Sequence, residues 1–202
     1  MPSSTINATG ASDMTDMTDM TDLTNTADAA DPADAANLAA ADTPGAAAAA
    51  ADTHWLRAAI DLSRRSREQG HHPFAALVVD QHGKVLGTGL NGSADDCTAH
   101  AEMLAVRAAW ANRPATGLAG ATLYSSAEPC AMCAGGVYWS GIGRVVYGLS
   151  EAALLALTGA HPENPTLSLP CREVFARGQR AIGVRGPLLE DEAAAAHAGF
   201  WG

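Results

Sequence analysis

The chain has 202 residues, 48% of them hydrophobic, and a formal net charge of −10. That length suits one domain with an appendage, and the apolar content is enough for a core. No stretch approaches the roughly 20 apolar residues needed to span a bilayer, and no basic segment precedes an apolar run, so a membrane anchor and a secretory leader are unexpected and a cytoplasmic location is expected.

The charge is uneven. The first 52 residues hold nine of the 22 acidic residues and none of the 12 lysines and arginines, which leaves 13 acids against 12 bases in the remainder. This opening segment reads as Thr-Asp-Met triplets followed by Ala/Asp low complexity, without one aromatic residue. It has too little apolar surface to offset the entropy of ordering it. Residues 1–52 are therefore expected as a disordered acidic tail and residues 53–202 as the folded domain. The six alanines at 46–51 are too few to hold a helix alone.

Residues 54–69 place Trp55, Ala59, Leu62 and Ser66 on one stripe of an amphipathic helix that Gly70 and Pro73 stop. Arg64, Arg65 and Arg67 read as its solvated face. "FAALVVD", a "QHGK" turn and "VLGTGLN" form a hairpin. A helical run with Met103, Leu104, Val106 and Trp110 follows. "ATLYSS" is a strand, and "EPCAMCAGGVYWSG" opens a helix with Pro129 near its first position. "RVVYGL" is a strand, "EAALLALTG" a short helix, and 159–171 an irregular loop with three prolines. "AIGVRG" reads as an edge strand, and "LLEDEAAAAHAGFW" as a closing helix. Helices alternating with strands after a hairpin predict a three-layer α/β/α domain, with helices on both faces of a mixed sheet.

Cys130 and Cys133 lie three apart on the first turn of a predicted helix, so they share a side. Alone, such a pair is also compatible with a redox couple. "HAE" at 100–102, at the start of another helix, narrows the choice. One imidazole and two thiolates suit Zn²⁺, and three protein ligands leave the fourth position open for a water that the metal acidifies. The helix N-terminus favours the thiolate form. Glu102 is then the general base, taking a proton from the water and returning it to the substrate. As a fourth ligand it would instead close the site.

H-A-E followed after about 27 residues by P-C-x-x-C is the arrangement of zinc nucleobase deaminases. "CTAHAEMLAVRAAW" with "ATLYSSAEPCAMCAGGVYWSGIGRVVYG" resembles the cytidine/deoxycytidylate deaminase superfamily, in the branch of bacterial guanine deaminases and tRNA adenosine deaminases. The resemblance covers residues 55 to about 150 well and the last fifty poorly. It implies a cytidine-deaminase-like fold with a five-stranded sheet, a homodimer and hydrolytic deamination. It also implies His100, Cys130 and Cys133 as zinc ligands, Glu102 as proton shuttle, and substrate contact by the backbone of Ala101.

For the substrate, Ala131 and Met132 stand where free-standing cytidine deaminases carry a glycine after the first cysteine, which leans away from cytidine. A domain of net charge −1 lacks the basic stripe expected for tRNA, the alternative substrate. "HPF" at 72–74 and "YW" at 138–139 resemble the guanine deaminase pattern, so a purine such as guanine is expected, with Phe74 and Trp139 walling a flat slot. Asn91 would hydrogen-bond a base edge or ribose. Glu163 lies in the right region for a second acid, although its flanks do not match. Phe200 and Trp201 would cap a pocket or pack on the first helix, and Cys97 and Cys171 read as spectators. A deaminase fold used only for binding is a further alternative, and the intact Glu102 speaks against it.

Overall fold

The computed structural model describes residues 45–202. The predicted tail falls outside the described residues except at its last eight positions, and there the expectation is corrected. The first helix, α1, runs over Ala46–Glu68, so the boundary at 53 falls inside it. Asp52 is 1% exposed and pairs with Arg144 and Arg185. The alanines do not stand alone: they continue a helix whose next turns pack on the sheet, which removes the nucleation cost that forbids so short a helix. The buried stripe is Asp52, Leu56, Ala59, Ile60, Ser63 and Ser66, which leaves Trp55 and Leu62 only half-buried at its margin.

The sheet is formed by β1 (Ala75–Val79), β2 (Val85–Leu90), β3 (Thr122–Ala127), β4 (Arg144–Leu149) and β5 (Gly183–Arg185), in the order β2-β1-β3-β4-β5. β1 is antiparallel to β2 and β3, while β3, β4 and β5 are parallel. The expected mixed five-stranded sheet with helices on both faces is thus observed. One face carries α2 (Ala101–Ala111), α3 (Ala131–Ser140) and α5 (Cys171–Ala176), over a core that includes Ala105, Leu123, Val137, Val145 and Phe175. The other carries α1, α4 (Glu151–Thr158) and α6 (Glu190–Ala194), over Leu56, Ile60, Leu77, Val146 and Leu149. Within strands, residues one apart face opposite layers, which is why Leu123 and Tyr124 belong to different cores.

Two glycines set the height of α2. A Cβ on Gly89 would lie 2.1 Å from the Ala101 carbonyl oxygen, and one on Gly87 would lie 2.4 Å from that of Ala105. Bare backbone on β2 therefore lets α2, and the residues at its start, sit directly against the sheet. The predicted closing helix divides into α6 and a 3₁₀ turn, Ala195–His197. α5 begins at the last residue of the 159–171 loop and runs on through residues to which the sequence reading gave no element. No helix among the described residues is long and apolar enough to cross a membrane.

Candidate active site and metal centre

Two helix starts meet over the C-terminal end of β3. His100 is the N-cap of α2 and Cys130 the N-cap of α3, both with extended backbone. Pro129 therefore precedes the helix rather than opening it. His100 Nδ1 lies 3.6 Å from Cys130 Sγ and 3.6 Å from Cys133 Sγ, and the three donor atoms lie within 4.8 Å of one another. Tetrahedral zinc with bonds of about 2.0–2.3 Å holds its ligands at roughly such separations, so the donor set fits this metal in spacing and in chemistry. The hydrogen bond between the two cysteines, with that to His100, pulls the Cys130 thiol well below its usual range against the effect of burial. The same bond and burial push Cys133 up, so Cys130 is the readier thiolate of the pair.

Glu102, in the first turn of α2, is 6% exposed. Its Oε1 accepts from Ser125 Oγ at 3.0 Å and its Oε2 lies 3.6 Å from Cys133 Sγ. Burial raises its pKa, and the negative charge at Cys130 adds to this. A buried carboxyl that holds a proton more readily than usual, beside a metal triad, is equipped to take up and give back protons.

The triad opens into a cavity of about 780 Å³. Phe74, Asn91, His100, Glu102 and Cys130 line it together with Glu163 and Phe200. Asn91 is buried, and its Oδ1 accepts both the Ser93 N–H at 3.1 Å and the Ser93 hydroxyl at 2.7 Å, so the amide NH₂ is the end left to donate. Glu163 meets the His72 ring at 3.2 Å across the mouth. Phe200 and Trp201 both meet His72 edge-on or tilted, and Trp201 also stacks on His197.

Two of the expected substrate contacts lie outside the cavity lining of this chain. Trp139 is 83% exposed and lies outside the cavity lining, because it sits on the side of α3 turned away from β3. Ala101 is buried and also absent from the lining, its carbonyl turned toward Gly89. Arg64 and Arg67 are not idle solvent charges: they donate to the carbonyls of Glu192, Ala196 and Ala198, and so hold the C-terminal segment onto α1. Cys171 is buried as expected, whereas Cys97 lines the cavity.

Sequence reasoning missed Ser125, Glu128 and Glu151. Alternation along β3 puts Ser125 on the same face as Leu123, toward α2, and that signal was available. Glu151 begins α4 at the cavity wall, where burial and then the charges of Cys130, Glu128 and Glu102 push it up to about 7. Nothing local in the sequence brings Glu151 to the cavity, whereas the nearness of Glu128 to Cys130, two residues on, was a signal available for it.

The sequence profile of the cytidine and deoxycytidylate deaminase zinc-binding region matches residues 49–149. A probable cytosine deaminase of Schizosaccharomyces pombe is 42% identical over 151 residues, 74% of this chain and 92% of its own. A tRNA-specific adenosine deaminase of Buchnera aphidicola is 40% identical over 101 residues, 49% of this chain and 66% of that protein. The solved guanine deaminase from Nitrosomonas europaea superposes with a TM-score of 0.59 at 30% identity, over 71% of this chain and 80% of its own. Sheet order, the His/Cys/Cys cluster and these likenesses define a zinc-dependent hydrolytic deaminase. The chain belongs to the cytidine and deoxycytidylate deaminase family.

Proposed function

We propose that this chain deaminates a free amino-substituted purine base or its nucleoside, with guanine the first compound to test. The observation that carries this reading is the lining of the cavity, which offers Phe74, Phe200, Asn91 and four carboxylates, with no Lys or Arg among the residues that form it. Such a lining suits a flat uncharged heterocycle rich in N–H donors and gives a phosphate no cation to pair with. The Nitrosomonas europaea likeness supports the purine choice.

His100, Cys130 and Cys133 hold the zinc. When bound, the metal supplies Lewis acidity that makes water a competent nucleophile at neutral pH. Glu102 takes one proton from the attacking water and delivers it to the ring nitrogen. It then takes the proton of the hydroxyl newly bonded to the ring carbon and delivers it to the departing amine, so that the C–N bond breaks and ammonia leaves neutral. Ser125 fixes one oxygen of Glu102 and leaves the other facing the triad. Asn91, its carbonyl occupied by Ser93, donates its NH₂ to a lone pair on the base edge. Phe74 and Phe200 flank the ring and exclude water, and Glu163 is placed at the mouth to serve as a second acid.

A second reading, a free aminopyrimidine such as cytosine, is supported by the likeness to the Schizosaccharomyces pombe relative. Ammonia release from guanine, cytosine, their nucleosides and tRNA separates the readings. Turnover of guanine is expected, turnover of cytosine alone establishes the second reading, and inosine formed only in tRNA defeats both. Glu102→Gln is expected to abolish turnover while zinc content stays at the wild-type level. Loss of the metal instead would make Glu102 a ligand. We take the homodimer as part of the proposal, with Met132 and Trp139 of α3 as the apolar face available to a second copy. Light scattering tests it.

A further inference from the structure

Glu128 stands one residue before Pro129 in the segment that carries the two cysteines, and neither the metal nor the proton transfers use it. Its side chain is nonetheless placed with care. The residue is 7% exposed and forms part of the cavity lining. Its Oε2 accepts the backbone N–H of Glu151 at 3.1 Å, and its Oε1 accepts the backbone N–H of Cys171 at 3.0 Å. Glu151 is the first residue of α4 and Cys171 the first of α5, so each bond satisfies an N–H that its helix leaves without an internal partner. Its own N–H donates to the Leu149 carbonyl at 2.7 Å, which locks it to the end of β4.

Between those two helix starts lies the stretch 151–170, which supplies much of the cavity wall: Glu151 and Leu154 from α4, and Glu163, Asn164 and Leu167 from the loop. One carboxylate therefore ties both ends of that wall to the turn that presents Cys130. We infer that Glu128 is a positioning residue, setting the distance between the metal floor of the cavity and its 151–170 wall, and thereby the fit of the substrate ring. The inference rests on the deaminase site proposed above. It predicts that binding suffers before chemistry does, because Glu102, Ser125 and His100 lie on α2 and β3 and at the α2 cap, which the Glu128 carboxylate does not touch.

Two variants test this. Glu128→Gln keeps the shape but turns an NH₂ toward one of the two N–H donors, so one helix start is released. Cys171→Pro removes one donor without changing any charge. Proline is tolerated at a first helical position, and Pro170 already has the extended backbone (ψ 140°) that a following proline requires. With the substrate found by the ammonia panel, KM is expected to rise about tenfold in each variant while kcat stays within about threefold. Zinc content is expected to match the wild type. Amide hydrogen exchange should quicken across 159–170 in both variants, and in Glu128→Gln also at 151 or 171, with β3 and β4 unchanged.

A KM within about twofold of the wild type in both variants overturns the inference. So does loss of zinc, or faster exchange spread through β3 and β4, since either makes Glu128 a general support of the fold. If Glu128→Gln does not fold, Cys171→Pro carries the test, and failure of both to fold counts against a positioning role. If the wild type turns over nothing in the panel, the proposed function fails by itself, and the exchange pattern still decides the clamp.

Discussion

Asp52 was read as the last acid of a solvated tail, and its surroundings show why charge counting could not place it. Arg144 on β4 takes both its oxygens, at 2.6 and 2.8 Å, and Arg185 on β5 and the Tyr124 hydroxyl take what remains. Burial opposes its ionisation, but the hydrogen bonds and charges of the two guanidiniums prevail and hold it below the usual carboxylate range. Breaking a buried pair strands its partners. Both arginines keep about a quarter of their side-chain surface in water, so Asp52→Ala is expected to cost about 3 kcal/mol, the low end for such a change. Urea unfolding measures this, and a loss below about 1 kcal/mol would reduce the cluster to an ordinary surface pair.

Among the elements, α1 and the C-terminal segment depend on each other and on the site. Removing residues 1–44 is expected to leave the thermal midpoint unchanged, whereas removal through residue 52 takes away Asp52 and two turns of α1, lowering it by roughly 6–12 °C. Comparing the two truncations by calorimetry locates the boundary of the domain.

The C-terminal segment carries a titration of its own. His197 is buried, and burial first, then Arg67 and His72, push its pKa down to about 4. Its Nδ1 accepts from Trp201 Nε1 at 3.1 Å, a bond that only the unprotonated nitrogen can accept. The unfolded chain takes up this proton near pH 6.5 and the folded chain only near 4. The stabilisation is therefore complete above 6.5 and is lost as pH falls toward 4, by an amount on the order of 3 kcal/mol. His197→Phe should flatten stability against pH across that window, as read by denaturant titration at several pH values. An unchanged slope would show that other groups are responsible.

For the whole molecule, the metal is expected to join what the sequence separates. The three proposed ligands come from the starts of α2 and α3, so removing the metal should loosen both. A strong chelator is expected to abolish turnover and lower the thermal midpoint, with both restored by added zinc. Retained activity at undetectable zinc would refute a metal-dependent reaction.

Most of the architecture was legible from the sequence. The short apolar runs "FAALVVD" and "RVVYGL", the punctuation at Gly70 and Pro73, and the alternation of helix with strand led to the mixed sheet that is observed. The pairs Cys130–Cys133 and His100–Glu102 were legible locally, because each falls within about one helical turn, whereas the meeting of the two helix starts, 30 residues apart, was an expectation from the resemblance. The exposure of Trp139 was not legible for the complementary reason: an aromatic beside a motif says nothing about which side of its helix meets the cavity.

By itself, the sequence determined the elements, since each rests on residues within a few positions of one another, while the donor set and the class of chemistry were read from two short motifs 30 residues apart and the family they resemble. Only the tertiary structure decided that Asp52 belongs to the core, that Arg67 holds the C-terminal segment, and that Glu128 joins two helix starts 20 residues apart in the chain. Those contacts depend on which loops and sheet ends come together once the strands take the order β2-β1-β3-β4-β5. No local propensity encodes that order, because it is set by the burial of both sheet faces at once.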